Sequence, residues 1–397
     1  MSPMNIQPVV VIAPDKFKGS ATAKEVAAAL TRGLRSATSS AEVRCVPVAD
    51  GGEGTIDAAV AAGFTQQTAL VTGPLGRPVE ARWAIKHSSD RTDAVVELAQ
   101  ASGIELLEPT RSTGATATSR GTGELLQAAL EAGATRIVLG LGGSACTDGG
   151  AGMLAALGAK LLDQNGITVA DGGGSLHKLH RIELTDIDPR WAHTEVILAS
   201  DVDNPLLGID GAARVFGPQK GLSDDDIAGF DTSLGHFAER LRDAAAQTFG
   251  REAAQSVTDA ITKPGAGAAG GTGFAAMAVL GAKRRRGIDV ILDIVDFASA
   301  LTDATLVITG EGSLDVQTLQ GKAPVGIAQV ANQHQIPVFA VCGRSLLSDR
   351  QAAGAGFDRV FALTELESDP EVSMREAQDL LVRLGARIGN ILLAHSV

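Results

Sequence analysis

Five short β-branched apolar runs predict an α/β protein. The loops richest in glycine, aspartate and lysine all fall at the ends of these runs. Two of them precede Phe64 and three follow Ala304, and helical stretches separate them, which is the count of a flavodoxin-like parallel five-stranded sheet of order 2-1-3-4-5. Between the two groups lie short strand-like pieces and turns, the signature of a large inserted second α/β domain. The boundaries drawn from this are 1–68 and 288–397 for the sheet domain and 69–287 for the insertion. A chain of 397 residues is long enough for two such cores.

The first strand is read at Pro8 to Ala13 and ends in Pro14-Asp15-Lys16-Phe17-Lys18-Gly19-Ser20. Thr22 and Glu25 then form a capping box for a helix that buries Val26, Leu30 and Leu34. A second strand, Glu42 to Val48, ends in Asp50-Gly51-Gly52-Glu53-Gly54-Thr55. In the insertion, Leu70 to Thr72, Glu80 to Ile85 and Ala94 to Leu98 read as strands and Arg120 to Ala132 as a helix. A strand at Arg136 to Leu139 runs into Gly140 to Gly152, with six glycines in thirteen positions. Glu195 to Ala199 is another strand, and Ser223 caps a helix reaching Leu241. Pro264 to Ala282 is long and uncharged, but its glycines make it a loop and a buried helix start rather than a membrane span. Lys283 to Arg286 reads as a solvated basic turn, and Ile288, Ile291, Leu292 and Val295 follow at helical spacing. The last three strands are Ala304 to Thr309, Ile336 to Cys342 and Arg359 to Leu363, with helices at Val325 to Asn332 and Arg375 to Leu393.

The net charge of −12 argues against a nucleic-acid surface or a basic membrane patch. Cys45, Cys146 and Cys342 are odd in number and far apart, which fits a reducing cytoplasm and lacks metal-ligand spacing. The N-terminus has no basic segment followed by a long apolar core, so no signal peptide is expected.

Ligands of open parallel sheets bind beyond the carboxyl ends of the strands, at the switch point. There Lys16 and Glu311 are expected to face each other with Asp50 beside them. The loop from Gly140 follows a strand and precedes a helix, the arrangement that aims backbone N–H groups at an anion. Gly140, Gly142 and Ala145 with Asp163 also fit a loose dinucleotide fingerprint, which keeps a dehydrogenase of a small hydroxy acid open as an alternative. A non-catalytic sugar-acid-binding protein is a further alternative. No Gly-Lys-Ser/Thr closes the loop, so it is not a P-loop. Asp201 and Asp203, alternate residues of one extended loop, would share a face and could hold Mg²⁺ or take a hydroxyl proton. Gly310-Glu311-Gly312 with Asp315, and Lys322 before a helix, complete the set. Anion-cradling loops, lysines and spare carboxylates, without a Ser/His/Asp or Cys/His set, suit phosphoryl transfer.

In these motifs the chain resembles the type-1 glycerate kinase family over essentially its whole length. The resemblance rests on Ala13-Pro14-Asp15 with Phe17 to Ser20, Ala49 to Thr55, Gly142-Gly143-Ser144 with Asp148 to Gly152, and Asp201 to Leu206. Phe216 to Gly221, Pro264 to Gly271, Gly310-Glu311-Gly312, and Gln317-Thr318 with Gly321 to Pro324 complete it. It implies ATP- and Mg²⁺-dependent phosphorylation of (R)-glycerate, most often to 2-phosphoglycerate, by a cytoplasmic monomer or homodimer. On that reading Asp201 accepts the hydroxyl proton and Lys18 and Lys322 neutralise phosphates. Asp50, Glu53 and Glu311 serve the metal or nucleotide. Asp15, Lys16, Ser20, Asp50, Gly51, Gly52, Gly142, Gly143, Ser144, Asp148, Gly149, Asn204, Gly267, Gly270, Gly271, Glu311 and Asp315 bind substrate or nucleotide. The chain departs from the family pattern at Lys16, Thr147, Ser200 and Ser313, where serine, asparagine, cysteine and arginine are more usual. Lys16 is expected to compensate for the guanidinium absent from Ser313.

Overall fold

The computed structural model describes residues 7–395. Along the chain its strands are β1 (Val9–Pro14), β2 (Glu42–Cys45), β3 (Thr65–Thr72), β4 (Pro78–His87), β5 (Thr92–Glu97), β6 (Arg136–Gly140) and β7 (Lys160–Leu162). They continue with β8 (Arg181–Glu183), β9 (Glu195–Ala199), β10 (Lys283–Arg285), β11 (Leu306–Leu314), β12 (Val338–Ser345) and β13 (Arg359–Ala362). The chain divides into two units. One holds the described residues up to Asp50, then Asp57–Ala62 and everything from Ile288; the other holds Gly51–Ile56 and Gly63–Gly287.

In the first unit β1 is buried at every position, as a strand covered on both faces must be. The sheet order is β13-β12-β11-β1-β2 with all neighbours parallel, so the expected order 2-1-3-4-5 is the one observed. Thr22 and Glu25 form the expected capping box on helix Ala23–Ala37. That helix lies against helix Ala377–His395 through glycines. A Cβ at Gly33 would overlap the Val382 carbonyl oxygen, and one at Gly385 that of Leu30. The apolar faces of both helices close over Val10, Ile12, Ile308 and Val341.

The second unit has a sheet of order β10-β9-β6-β5-β4-β3. β10, β9, β6 and β5 are parallel, and β4 and β3 continue antiparallel. β7 and β8 form a separate antiparallel pair. Trp83, Leu125, Leu139, Leu198, Phe237 and Phe274 belong to its core, where the two phenylalanines meet edge to face at 6.2 Å.

Several elements differ from the sequence reading. The boundary drawn at 69 falls inside β3, which pairs with β4 along its length. Lys283–Arg285 is not a solvated turn but the edge strand β10; charge on an edge is how sheets discourage further pairing. Gly310-Glu311-Gly312 lies within β11 rather than in a loop after it, because β12 extends equally far alongside. A Cβ at Gly310 would overlap the Val341 carbonyl oxygen. The C-terminal helical stretch breaks at Glu376 into Pro370–Arg375 and Ala377–His395. Among the described residues no helix is long and apolar enough to cross a membrane.

Candidate active site

In the first unit, strand register gathers acids at the carboxyl end of the sheet. Pro14 pairs with Gly310, and the Asp15 N–H donates to the Gly310 carbonyl at 2.8 Å, which brings Asp15 beside Glu311. The Asp15 carboxyl is pushed up to about 7, chiefly by burial and then by the charge of Asp50, with Glu311 adding to it. The Lys16 N–H, which donates to Asp15 Oδ1 at 2.6 Å, and the Lys16 ammonium oppose this. Burial also raises the Glu311 carboxyl, against the Thr318 hydroxyl donating to its Oε1 at 2.5 Å and the charge of Lys322. Across the switch point Asp15 neighbours Glu311, the charge of Lys322 acts on Glu311 and that of Lys16 on Asp15.

Lys18 is exposed beside Gly312, and Ser20 closes a turn by donating its N–H to Phe17. Asp315 accepts the N–H groups of Gln317 and Thr318, so this predicted ligand-binding acid shapes the turn that presents Thr318 to Glu311. Lys322 precedes helix Ala323–Gln333 and its Nζ lies 3.4 Å from Gln317 Oε1. At Ser313 a guanidinium is present after all. Arg344, its register partner on β12, donates Nε to Ser313 Oγ at 3.2 Å, so the neighbouring strand brings it there.

In the second unit, β5, β6 and β9 end level at Glu97, Gly140 and Ala199. The glycines there hold backbone close to backbone. A Cβ on Gly140 would lie 2.5 Å from the Gly51 carbonyl oxygen, and one on Gly142 2.7 Å from Gly52 Cα. Gly51, at φ +87°, would meet Gly287 Cα at 2.8 Å. Glu53 is exposed on the same loop, and Glu97, at the end of β5, accepts the Ile56 N–H at 2.7 Å.

The longer glycine loop splits into two parts with different roles. From Cys146 onward it is buried. Asp148 is fully buried and accepts N–H groups from Ser119, Gly150 and Gly152 at 2.8, 3.1 and 3.2 Å, with the Ser119 hydroxyl at 3.0 Å. The anion at the start of helix Ala151–Ala156 is thus the protein's own carboxylate. Gly149 donates to the Gly270 carbonyl, and Gly267, Gly270 and Gly271 are buried against the backbone of Pro205, Cys146 and Gly149. These predicted ligand-binding glycines carry protein packing. The outer part, Gly142-Gly143-Ser144, is half-buried or exposed. Among the described residues no protein acceptor takes its three N–H groups. Successive amides of this kind form an anion-binding concavity. Lys220, which sequence reasoning left out of the site, reaches the same loop while 2% exposed.

Asp201 and Asp203 meet different partners. Asp201 Oδ1 accepts the Gly287 N–H at 2.9 Å, whereas Asp203 pairs with Arg284 at 2.8 Å. Asn204 donates Nδ2 to the Asp210 carbonyl and its own carbonyl accepts from Gly267, so it braces the loop. Asp163 caps its own turn, accepting from Asn165 and Ile167 after β7, a strand outside the sheet that contains β6. It does not extend a dinucleotide fingerprint.

Among the described residues no three His, Cys, Asp or Glu side chains are assembled to hold a metal ion by themselves. The first-unit acids nonetheless fit Mg²⁺, which takes hard oxygen ligands and is usually held by one or two carboxylates together with substrate phosphates. Asp15 and Glu311 stand side by side there, and the charge of Asp50 acts on both.

Carboxylates and ammonium groups at the carboxyl ends of parallel strands, with open amides in a glycine turn, define an α/β protein that handles anions. The chain matches the glycerate kinase family over residues 10–393 and belongs to it. It is 44% identical to the glycerate 2-kinase of Escherichia coli K12 over 381 residues, 96% of each chain. It is 43% identical to the glycerate kinase of Bacillus subtilis 168 over 89% of this chain and 90% of that one. A crystal structure described as a candidate glycerate kinase 2 from Salmonella typhimurium LT2 superimposes with a TM-score of 0.82 at 39% identity, covering 98% of this chain and 99% of the other.

Proposed function

We propose that this chain catalyses ATP-dependent phosphorylation of (R)-glycerate at the 2-hydroxyl, releasing ADP and 2-phosphoglycerate, in the cytoplasm. The observation that carries the reading is the acid and lysine set of the first sheet, Asp15, Asp50, Glu311 and Lys322, in a chain that matches the glycerate kinase family over residues 10–393.

Phosphoryl transfer needs positioning, charge neutralisation and an oriented nucleophile more than covalent chemistry. Asp50 and Glu311 would hold Mg²⁺, which when bound neutralises charge on the transferred phosphoryl group. Lys18 and Lys322 neutralise phosphate oxygens. Asp201 takes the proton of the glycerate hydroxyl. The Gly287 N–H fixes one of its oxygens, so the carboxylate is oriented rather than free to rotate.

Wild-type protein is expected to release ADP with (R)-glycerate in a coupled assay across small hydroxy acids, and phosphorus NMR of the product to show 2-phosphoglycerate. Absence of ADP release with glycerate overturns the function; 3-phosphoglycerate overturns only the position. Asp201→Asn keeps the acceptor for Gly287 and is expected to fold normally while losing about 10²-fold in kcat. A near-normal kcat would remove Asp201 from the role of base.

A further inference from the structure

Lys220 is an unusual residue to bury. It follows Pro218 in a short turn, its side chain is 2% exposed, and its Nζ donates to Ser144 Oγ at 2.9 Å and to the Cys146 carbonyl at 2.8 Å. Burial disfavours its charged form; the charges of Cys146 and Asp148 work the other way. A lone ammonium in such a place is costly unless its donors are used.

The chemistry of the contact fixes more than packing. An ammonium has donors only, so it can meet Ser144 solely at a lone pair of the hydroxyl oxygen. The Ser144 O–H must then point away from Lys220. Ser144 is half-buried and follows exposed Gly143, in the turn whose three N–H groups have no protein acceptor among the described residues. We infer that Lys220 is a positioning residue that sets the Ser144 hydroxyl as an outward donor. With the amides of Gly142, Gly143 and Ser144, that hydroxyl forms a seat for an anionic oxygen of a substrate. The inference rests on the kinase reading for its substrates. The shared chemistry is a carboxylate oxygen of glycerate or a phosphate oxygen of ATP, and the arms of the test separate the two.

Ser144→Ala, Lys220→Met and the double variant are compared with wild type in the ADP-release assay, varying glycerate and ATP separately. Each single change is expected to raise KM for the same one substrate about tenfold, with a smaller change in kcat. The double variant is expected to be no worse than the worse single one, because both remove one interaction. Ser144→Thr, which keeps a hydroxyl, is expected to recover most of the loss. A rise in KM for glycerate identifies the seat as a carboxylate site, and a rise for ATP as a phosphate site. Effects that multiply, or that fall on different substrates, overturn the inference. Ser144→Ala with unchanged KM for both substrates overturns it even where Lys220→Met fails to fold. Wild-type turnover of glycerate tests the kinase reading separately. Without turnover, the same cycle is read from calorimetric binding of ATP and of glycerate, with the same outcomes.

Discussion

Replacing Asp15 by asparagine is expected to stabilise the ligand-free protein above neutral pH while removing most of its activity. In the folded chain the Asp15 carboxyl is raised from an ordinary 3.8 to about 7 by burial and by Asp50. A folded-state value above the unfolded one means that the folded chain binds the proton more tightly. The resulting stabilisation is complete below about pH 4 and is lost as pH rises through about 7. At pH 8 the native state therefore holds a carboxylate that its surroundings disfavour. Each pH unit between the two values is worth about 1.4 kcal/mol, and partial exposure trims the total to about 2 kcal/mol. Asparagine keeps the oxygen that accepts the Lys16 N–H and cannot ionise, so that cost disappears. Calorimetry without Mg²⁺ or nucleotide should show Asp15→Asn melting about 5 °C above wild type at pH 8, with the gain vanishing near pH 4. The same change should lower kcat/KM for ATP by about 10²–10³-fold, the usual scale for removing a charge that faces reacting groups. An equal shift in melting at both pH values would sink the electrostatic account, and wild-type ATP kinetics would take Asp15 out of the site.

Asp15 follows β1, Glu311 lies within β11 and Asp50 is in the loop after β2. Their convergence follows from register alone, since Pro14 pairs with Gly310 and β2 lies on the other flank of β1. That is why the placement of these acids is legible in the sequence: an apolar strand buried on both faces can only be central, and the residues after it must emerge at one edge. Arg344 was not legible in the same way. Nothing near it in sequence marks it, and only the pairing of β12 with β11 sets it against Ser313. Lys220 was hidden for a different reason. A lysine beside proline and glycine reads as a surface turn, and its burial depends on where the loop from Ser144 to Cys146 passes.

The glycine-rich stretch is the more instructive case. Glycine serves equally where backbone must approach a ligand and where it must approach other backbone. Composition cannot separate the two uses, but burial differs along the stretch. Gly142 and Gly143 stand at the open turn, whereas Gly149 and Gly150 are buried with φ of +67° and +83°. The basic run at Lys283 posed a similar ambiguity, because exposed charge suits a turn and an edge strand alike.

Asp148→Ala is expected to be the most damaging single change in the second unit, where the residue is fully buried. Its carboxylate is the common acceptor for Ser119 N–H, Ser119 O–H, Gly150 N–H and Gly152 N–H, all buried. Ser119 precedes helix Arg120–Glu131 and Gly150 precedes helix Ala151–Ala156, so one carboxylate completes the N-termini of two helices. Alanine leaves those donors without a partner in a place water does not reach. At about 1–3 kcal/mol for each orphaned group, the loss exceeds about 4 kcal/mol even after local relaxation. That corresponds to a fall of at least about 10 °C in the melting of this unit, or to failure to fold. Asp148→Asn preserves the shape and one acceptor oxygen while turning an NH₂ group toward donors, so an intermediate loss is expected. Thermal unfolding followed by tryptophan fluorescence, from Trp83 and Trp191 in this unit, reads the effect where it arises. If Asp148→Ala instead melted like wild type and lost only affinity for ATP or glycerate, the carboxylate would be a ligand group and the account of its burial would be wrong.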